Sequence, residues 1–78
     1  MGWYINYEIE INDYVDWDDE KVKNKLENYN CSWLYLRDMY KQIVIFSIYS
    51  QHDIEDIVII LKNIFNVDMT YKQYQIKN

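Results

Sequence analysis

The 78 residues carry 13 acids against 8 bases, a formal charge of −5, and half of them are hydrophobic, with nine Tyr, three Trp and two Phe. A chain this short buries only roughly 60 to 65% of its unfolded surface, which leaves little room for a wholly enclosed active site but enough apolar material for one small core. The single Cys31 excludes an internal disulfide, no Cys/His spacing suits zinc, and the longest apolar run, residues 57–61, is too short to span a bilayer.

Residues 1–78 are therefore read as a single domain. No linker, repeat or low-complexity tract interrupts them. No basic region leads into an apolar stretch at the start, so no secretory leader is expected, and one unpaired cysteine suits a reducing cytoplasm. The charge is uneven. Residues 1–20 hold seven acids and no base, whereas residues 21–78 hold six acids and eight bases. Such asymmetry argues against nucleic acid as a direct ligand of the acidic part and for a basic protein partner or plain solubility.

From Trp3 to Asn12 apolar and polar residues alternate, which predicts a half-buried strand with Trp3, Ile5, Tyr7, Ile9 and Ile11 on one side and Tyr4, Asn6, Glu8, Glu10 and Asn12 on the other. The acid-rich stretch "NDYVDWDDEK" follows. Asp18 is the expected N-cap of a helix running to Tyr29, with Val22, Leu26 and Tyr29 at helical spacing and Trp17 and Val22 at the positions of a hydrophobic staple.

Two strands come next, Ser32–Asp38 and Gln42–Tyr49, joined by "DMYK", whose lack of Gly predicts a loose hairpin connection. Residues 50–66 read as a second helix, with Ser50 and Asp53 spaced as a capping box and Asn66 suited to a left-handed C-cap. Ile54, Ile57, Val58, Leu61, Ile64 and Phe65 form its apolar face, and Ile59 falls opposite. A last strand is expected over residues 67–76.

The resulting order, β-α-β-β-α-β, predicts an α+β fold of ferredoxin-like type: a four-stranded antiparallel sheet, its first and third strands central, with two helices on one face. Ile5, Tyr7, Ile9, Leu34, Leu36, Val44, Phe46 and Ile48 are expected to face the helices. The open face would then display Tyr4, Asn6, Glu8 and Glu10, then Trp33, Tyr35 and Arg37, then Ile43, Ile45 and Tyr49. Such an apolar, aromatic face marks a contact surface.

RNA-recognition domains share this layout, but "KQIVIFSIY" puts Ile43 and Ile45 where stacking rings belong, and Glu8 and Glu10 would repel phosphate. "DYVDWDDE" lacks the mid-loop Gly of a calcium loop. His52, the one histidine, falls in the first turn of the second helix without a nucleophile or second histidine nearby in sequence. No catalytic, cofactor-binding or metal-binding residue is assigned on this basis. Asp18, Asp19 and Glu20 suit a helix start, whereas Glu8, Glu10, Asp13 and Asp16 are surplus to it.

In size, charge and composition the chain resembles the small acidic inhibitors that bacteriophages and other mobile elements deploy, of the anti-CRISPR or antirestriction type. No motif accompanies the resemblance, so it carries over no functional residue. It implies a stoichiometric, non-enzymatic block of a basic, nucleic-acid-handling surface, acting in the cytoplasm of a host cell. Glu8, Glu10, Asp13, Asp16, Asp18 and Asp19 would stand in for phosphates, and Tyr4, Trp33, Tyr35, Arg37 and Tyr49 would anchor the complex. Two alternatives stand beside it: a homodimer or structural subunit docking through its sheet, and a small metal-dependent nuclease using Asp13, placed as in small CRISPR-associated nucleases of this topology, or His52.

Overall fold

The computed structural model describes residues 4–74, which form β1 (Ile5–Ile11), α1 (Asp19–Lys25), β2 (Cys31–Arg37), β3 (Gln42–Ile48), α2 (Asp53–Phe65) and β4 (Met69–Gln73). The strands make one antiparallel sheet in the order β2-β3-β1-β4, and both helices cover the same face. This is the expected ferredoxin-like arrangement with β1 and β3 at the centre. Residues Trp3 and Ile76, read above as strand positions, lie outside the described residues.

Each element forms for a local reason. In β1 the alternation buries Tyr7, Ile9 and Ile11 and leaves Asn6, Glu8 and Glu10 on the open face. The α1 helix starts where the Asp18 carboxylate accepts the Lys21 N–H at 3.1 Å, as a cap should. It ends at Lys25 and not at Tyr29, because Leu26 turns into the core and the Tyr29 N–H closes a turn on the Leu26 carbonyl at 3.0 Å. The β2–β3 hairpin is the loose connection expected: Asp38 N–H donates to Lys41 C=O at 3.0 Å, and the Asp38 carboxylate takes the Tyr40 N–H at 2.8 Å in an Asx turn.

The α2 helix corrects one expectation and meets another. Ser50 makes no capping box; it sits one turn earlier, its carbonyl accepting the Asp53 N–H at 3.0 Å, and the cap position falls on His52 without a side-chain bond. Asn66 does take the left-handed conformation, φ 57° and ψ 42°, and its N–H reaches Lys62 C=O at 2.7 Å. Ile54, Ile57, Val58 and Leu61 are buried and Ile59 points outward, as the periodicity requires. The fully enclosed centre is Ile9, Val22, Val44, Phe46, Ile48, Ile57 and Leu61, drawn from both central strands and both helices.

The main correction concerns β2. Leu34 and Leu36, expected in the core, are 59% and 42% exposed on the open face, while Trp33, Tyr35 and Arg37, expected on that open face, point to the helix side. Cross-strand register fixes this: Trp33 lies opposite Phe46, Tyr35 opposite Val44 and Arg37 opposite Gln42, all positions of the helix-facing set of β3. The physical reason is reach. At an edge strand the helix layer is distant, and a Trp or Tyr ring spans that gap and finds a polar partner there, which a Leu cannot do.

Gln42 is the one buried polar residue of the described chain and was not anticipated. Its amide acts as a short strand. The Oε1 accepts the Val15 N–H at 3.1 Å, and the Nε2 donates both to Val15 C=O at 3.0 Å and to the Tyr35 hydroxyl at 2.8 Å. The β1–α1 loop is thereby stitched to the sheet, and Val15 is held in the core at 5% exposure. We expect Gln42→Leu, which leaves two loop backbone groups without partners, to cost at least about 2 kcal/mol. The readout is a lower urea midpoint at unchanged m-value; an unaltered midpoint would remove Gln42 from this role.

Candidate functional site

Two neighbourhoods gather the residues singled out by sequence. The first lies on the helix side of β2. Trp17, from the β1–α1 loop, is sandwiched between Tyr35 (5.1 Å between ring centres, 5° between planes) and Phe65 (5.1 Å, 19°), so that one indole joins loop, edge strand and α2. Trp33 stacks on Phe46 at 5.5 Å.

The two indoles share a single acceptor. Asp19 Oδ1 takes the Trp17 Nε1–H at 2.7 Å and the Trp33 Nε1–H at 2.9 Å. These donors, Trp33 foremost and then Trp17, hold the Asp19 carboxyl below the ordinary carboxylate value. Asp18 thus caps α1 and Asp19 ties two tryptophans together, and both carboxylates stay exposed. Trp33 and Tyr35, expected on the open face, are half-buried on the helix side, and burial pushes the Tyr35 hydroxyl's pKa up.

Arg37 is also engaged internally, its guanidinium 4.8 Å over the Tyr14 ring and one Nη–H donating to the Tyr14 hydroxyl at 3.3 Å. Arg37, Asp13, Tyr14 and the hairpin residues Asp38, Met39 and Tyr40 line an open concavity of about 360 Å³. Met39 and Tyr40 at the hairpin tip are 87% and 91% exposed. Asp13 accepts its neighbour Tyr14's N–H at 2.8 Å, and Asp16 is exposed.

The second neighbourhood is the open sheet face. One half of it is an apolar lane: Leu34 opposite Ile45 and Leu36 opposite Ile43 on the β2–β3 pair. The next strand supplies Glu8 opposite Ile45 and Glu10 opposite Ile43, so a row of acids runs directly beside the lane. Those acids are not unaccompanied. Lys72, in register with Glu8, approaches it at 3.6 Å, and Lys41 reaches Glu10 at 3.2 Å, a pairing that raises the Lys41 pKa. Tyr4 and Tyr49 meet edge to face at 5.8 Å at one end of the sheet, where the Tyr4 hydroxyl donates to Asn30 Oδ1 at 3.2 Å.

Of the expected surface set, then, Tyr4 and Tyr49 are brought together, Glu8 and Glu10 share one face, and Asp13 joins Arg37. Trp33 and Tyr35 are half-buried on the helix side, and Asp18 and Asp19 are exposed carboxylates engaged at the start of α1. The lane itself, Leu34 and Leu36 beside Ile43 and Ile45, was half anticipated, since only the β3 residues were placed there. Among the described residues no group of three His, Cys, Asp or Glu side chains is placed to hold a metal ion, and no helix is long and apolar enough to cross a membrane. Cys31 is half-buried, and that burial, then the charge of Asp53, pushes its thiol pKa up.

No protein-family model and no curated protein matches the chain. Among solved structures, a de novo designed protein with the ferredoxin fold, LFR1 1, is similar in shape, with a TM-score of 0.52 and 14% identity over 96% of this chain and 88% of that one. The likeness is one of fold alone. It bears on the architecture and not on what the surface does.

Asp19 provides a pH test of the aromatic cluster. Its pKa in the folded chain lies below the usual 3.8, so its contribution is full above that value and is lost as pH falls through the lower, folded one. We expect Asp19→Asn to reduce stability at neutral pH and to flatten the loss of stability below about pH 4 that the wild type shows. Parallel acid unfolding curves for the two proteins, followed by tryptophan fluorescence, would contradict the assignment.

Proposed function

We propose that the chain is a non-enzymatic protein-binding domain that docks through the β2–β3 half of its open sheet face. The observation that carries this reading is the apolar lane. Two leucines 59% and 42% exposed, flanked by Ile43 and Ile45, stand on a face that no element of the described chain covers. Contiguous apolar surface of this kind holds complexes together, whereas scattered single residues do not. Met39 and Tyr40 add exposed apolar surface at the hairpin tip.

Charge supplies the finer part of the proposal. Asp13 beside the hairpin, Asp16 and Glu20 are exposed carboxylates, and Glu8 and Glu10 line the lane with their lysines alongside. These acids would draw a basic partner to the chain, and the apolar contact would hold it. The target we infer is a basic, nucleic-acid-handling protein surface, and the action a stoichiometric block of the anti-CRISPR or antirestriction kind in the cytoplasm. Within the steering set, Asp13 and Asp16 make no ion pair among the described residues.

Affinity capture from lysate of the cells in which the chain occurs, with wild type and variants side by side, tests the two parts separately. We expect Leu36→Lys and Ile45→Lys, both on the lane, to abolish retention of a partner that wild type holds. Reversing Asp13 and Asp16 to Lys should slow association by roughly tenfold or more at low salt and by little at high salt. Retention unaffected by the lane substitutions would sink the docking surface; association insensitive to salt would sink the basic target.

A further inference from the structure

The exposed strand edge carries a second message, independent of the docking reading above. The bonds from Tyr49 N–H to Asn30 C=O (3.1 Å) and from Asp38 N–H to Lys41 C=O (3.0 Å) bracket the β2–β3 ladder. In an antiparallel pair, hydrogen-bonded positions recur at every second residue, so the even-numbered residues of β2 bond to β3 and the odd-numbered ones turn their N–H and C=O outward. The backbone groups of Trp33 and Tyr35 are therefore presented at the sheet edge.

Among the described residues nothing guards that edge. From Cys31 to Leu36 β2 contains no charge, no Pro and no bulge, and it pairs with β3 in unbroken register over seven residues. The opposite edge, β4, is shorter and carries Lys72. Natural sheets protect free edges with such lysines, with proline or with bulges, because an unguarded edge is a template for another strand.

We propose that β2 pairs antiparallel with β2 of a second copy about a two-fold axis at Leu34, giving one continuous eight-stranded sheet. The strand is complementary to itself in that register. Leu34 faces Leu34, Trp33 faces Tyr35, and the outward N–H and C=O of those two odd-numbered residues meet their equivalents, as the ladder requires. The partner's Arg37, the one charge on the strand, then lies across from Cys31 at the groove between α1 and the edge, whose walls bear Asp19, Glu20 and Glu27 against a single Lys23. The acids of β1 stand two strands away, about 10 Å, and do not oppose the approach. On the open face the two apolar lanes merge across the axis.

A seven-residue edge contact is small, so association at roughly micromolar concentrations is expected. Disulfide trapping reads it with register. In a Cys31→Ser background, Leu34→Cys brings two thiols together at a non-hydrogen-bonded pair, where Cα atoms about 4.5 Å apart suit a disulfide. Leu36→Cys in the same background faces Ser32 of the partner subunit, with its own equivalent about 14 Å away. Under mild oxidation we expect a covalent dimer from Leu34→Cys and not from Leu36→Cys. Light scattering should show the wild type as a dimer at hundreds of micromolar and Leu34→Lys as a monomer with unchanged circular dichroism. No cross-link at position 34, equal cross-linking at 34 and 36, or a wild type that stays monomeric would overturn the proposal. A monomer that still retains a partner on the lane would overturn only the pairing and leave the docking reading standing.

Discussion

The structure hangs on a side chain that mimics a strand. Gln42 stands at the start of β3, and its amide reaches sideways to Val15 and Tyr35, binding the loop after β1 and the edge strand β2 to one point. A buried amide left without partners is costly, so this triangle admits few other arrangements. With Val15 held in the core, Trp17 two residues later lies where it can slide between Tyr35 and Phe65, and Asp19 two residues beyond that lies under both indoles. The side chains that look functional in sequence are thus drawn inward by a polar network, and the side chains that look like core are turned out.

That inversion sets the character of the surface. A sheet whose edge strand gave its leucines to the core would show a ring-rich, arginine-bearing open face. Here the rings close the gap between β2 and the helices, and the open face carries aliphatic side chains beside paired charges. Glu8 with Lys72 and Glu10 with Lys41 make a mixed, largely balanced border, which weakens a simple phosphate-mimic reading of the first twenty residues. The negative field that persists comes from the loop, Asp13 and Asp16, and from the first turn of α1, Asp19 and Glu20.

Much of the fold was legible because its signals are periodic and local. The two-residue alternation of β1, the i, i+3, i+4 face of α2, the Asp18 cap and the left-handed Asn66 depend on neighbours in sequence, and each is found as read. The side assignment of β2 was not legible, because Leu34 and Leu36 alternate with Trp33 and Tyr35 and both sets are apolar: the period identifies a strand but not which way it faces. Gln42 offered no signal at all, since an isolated Gln at a strand start is ordinarily exposed. Asp19 gave one only in hindsight, through two tryptophans near it in space, of which Trp33 is distant in sequence. The pairing of Glu8 and Glu10 with lysines required the register of three strands.

The direction in which β2 faces is therefore the claim on which the rest stands, and nuclear Overhauser contacts read it directly. We expect the Leu34 and Leu36 methyl groups to contact Ile45 and Ile43 and no helix residue, and the Trp33 ring to contact Phe46. Strong contacts from the Leu34 or Leu36 methyl groups to Val22 or Leu26 of the helix layer would contradict the whole account.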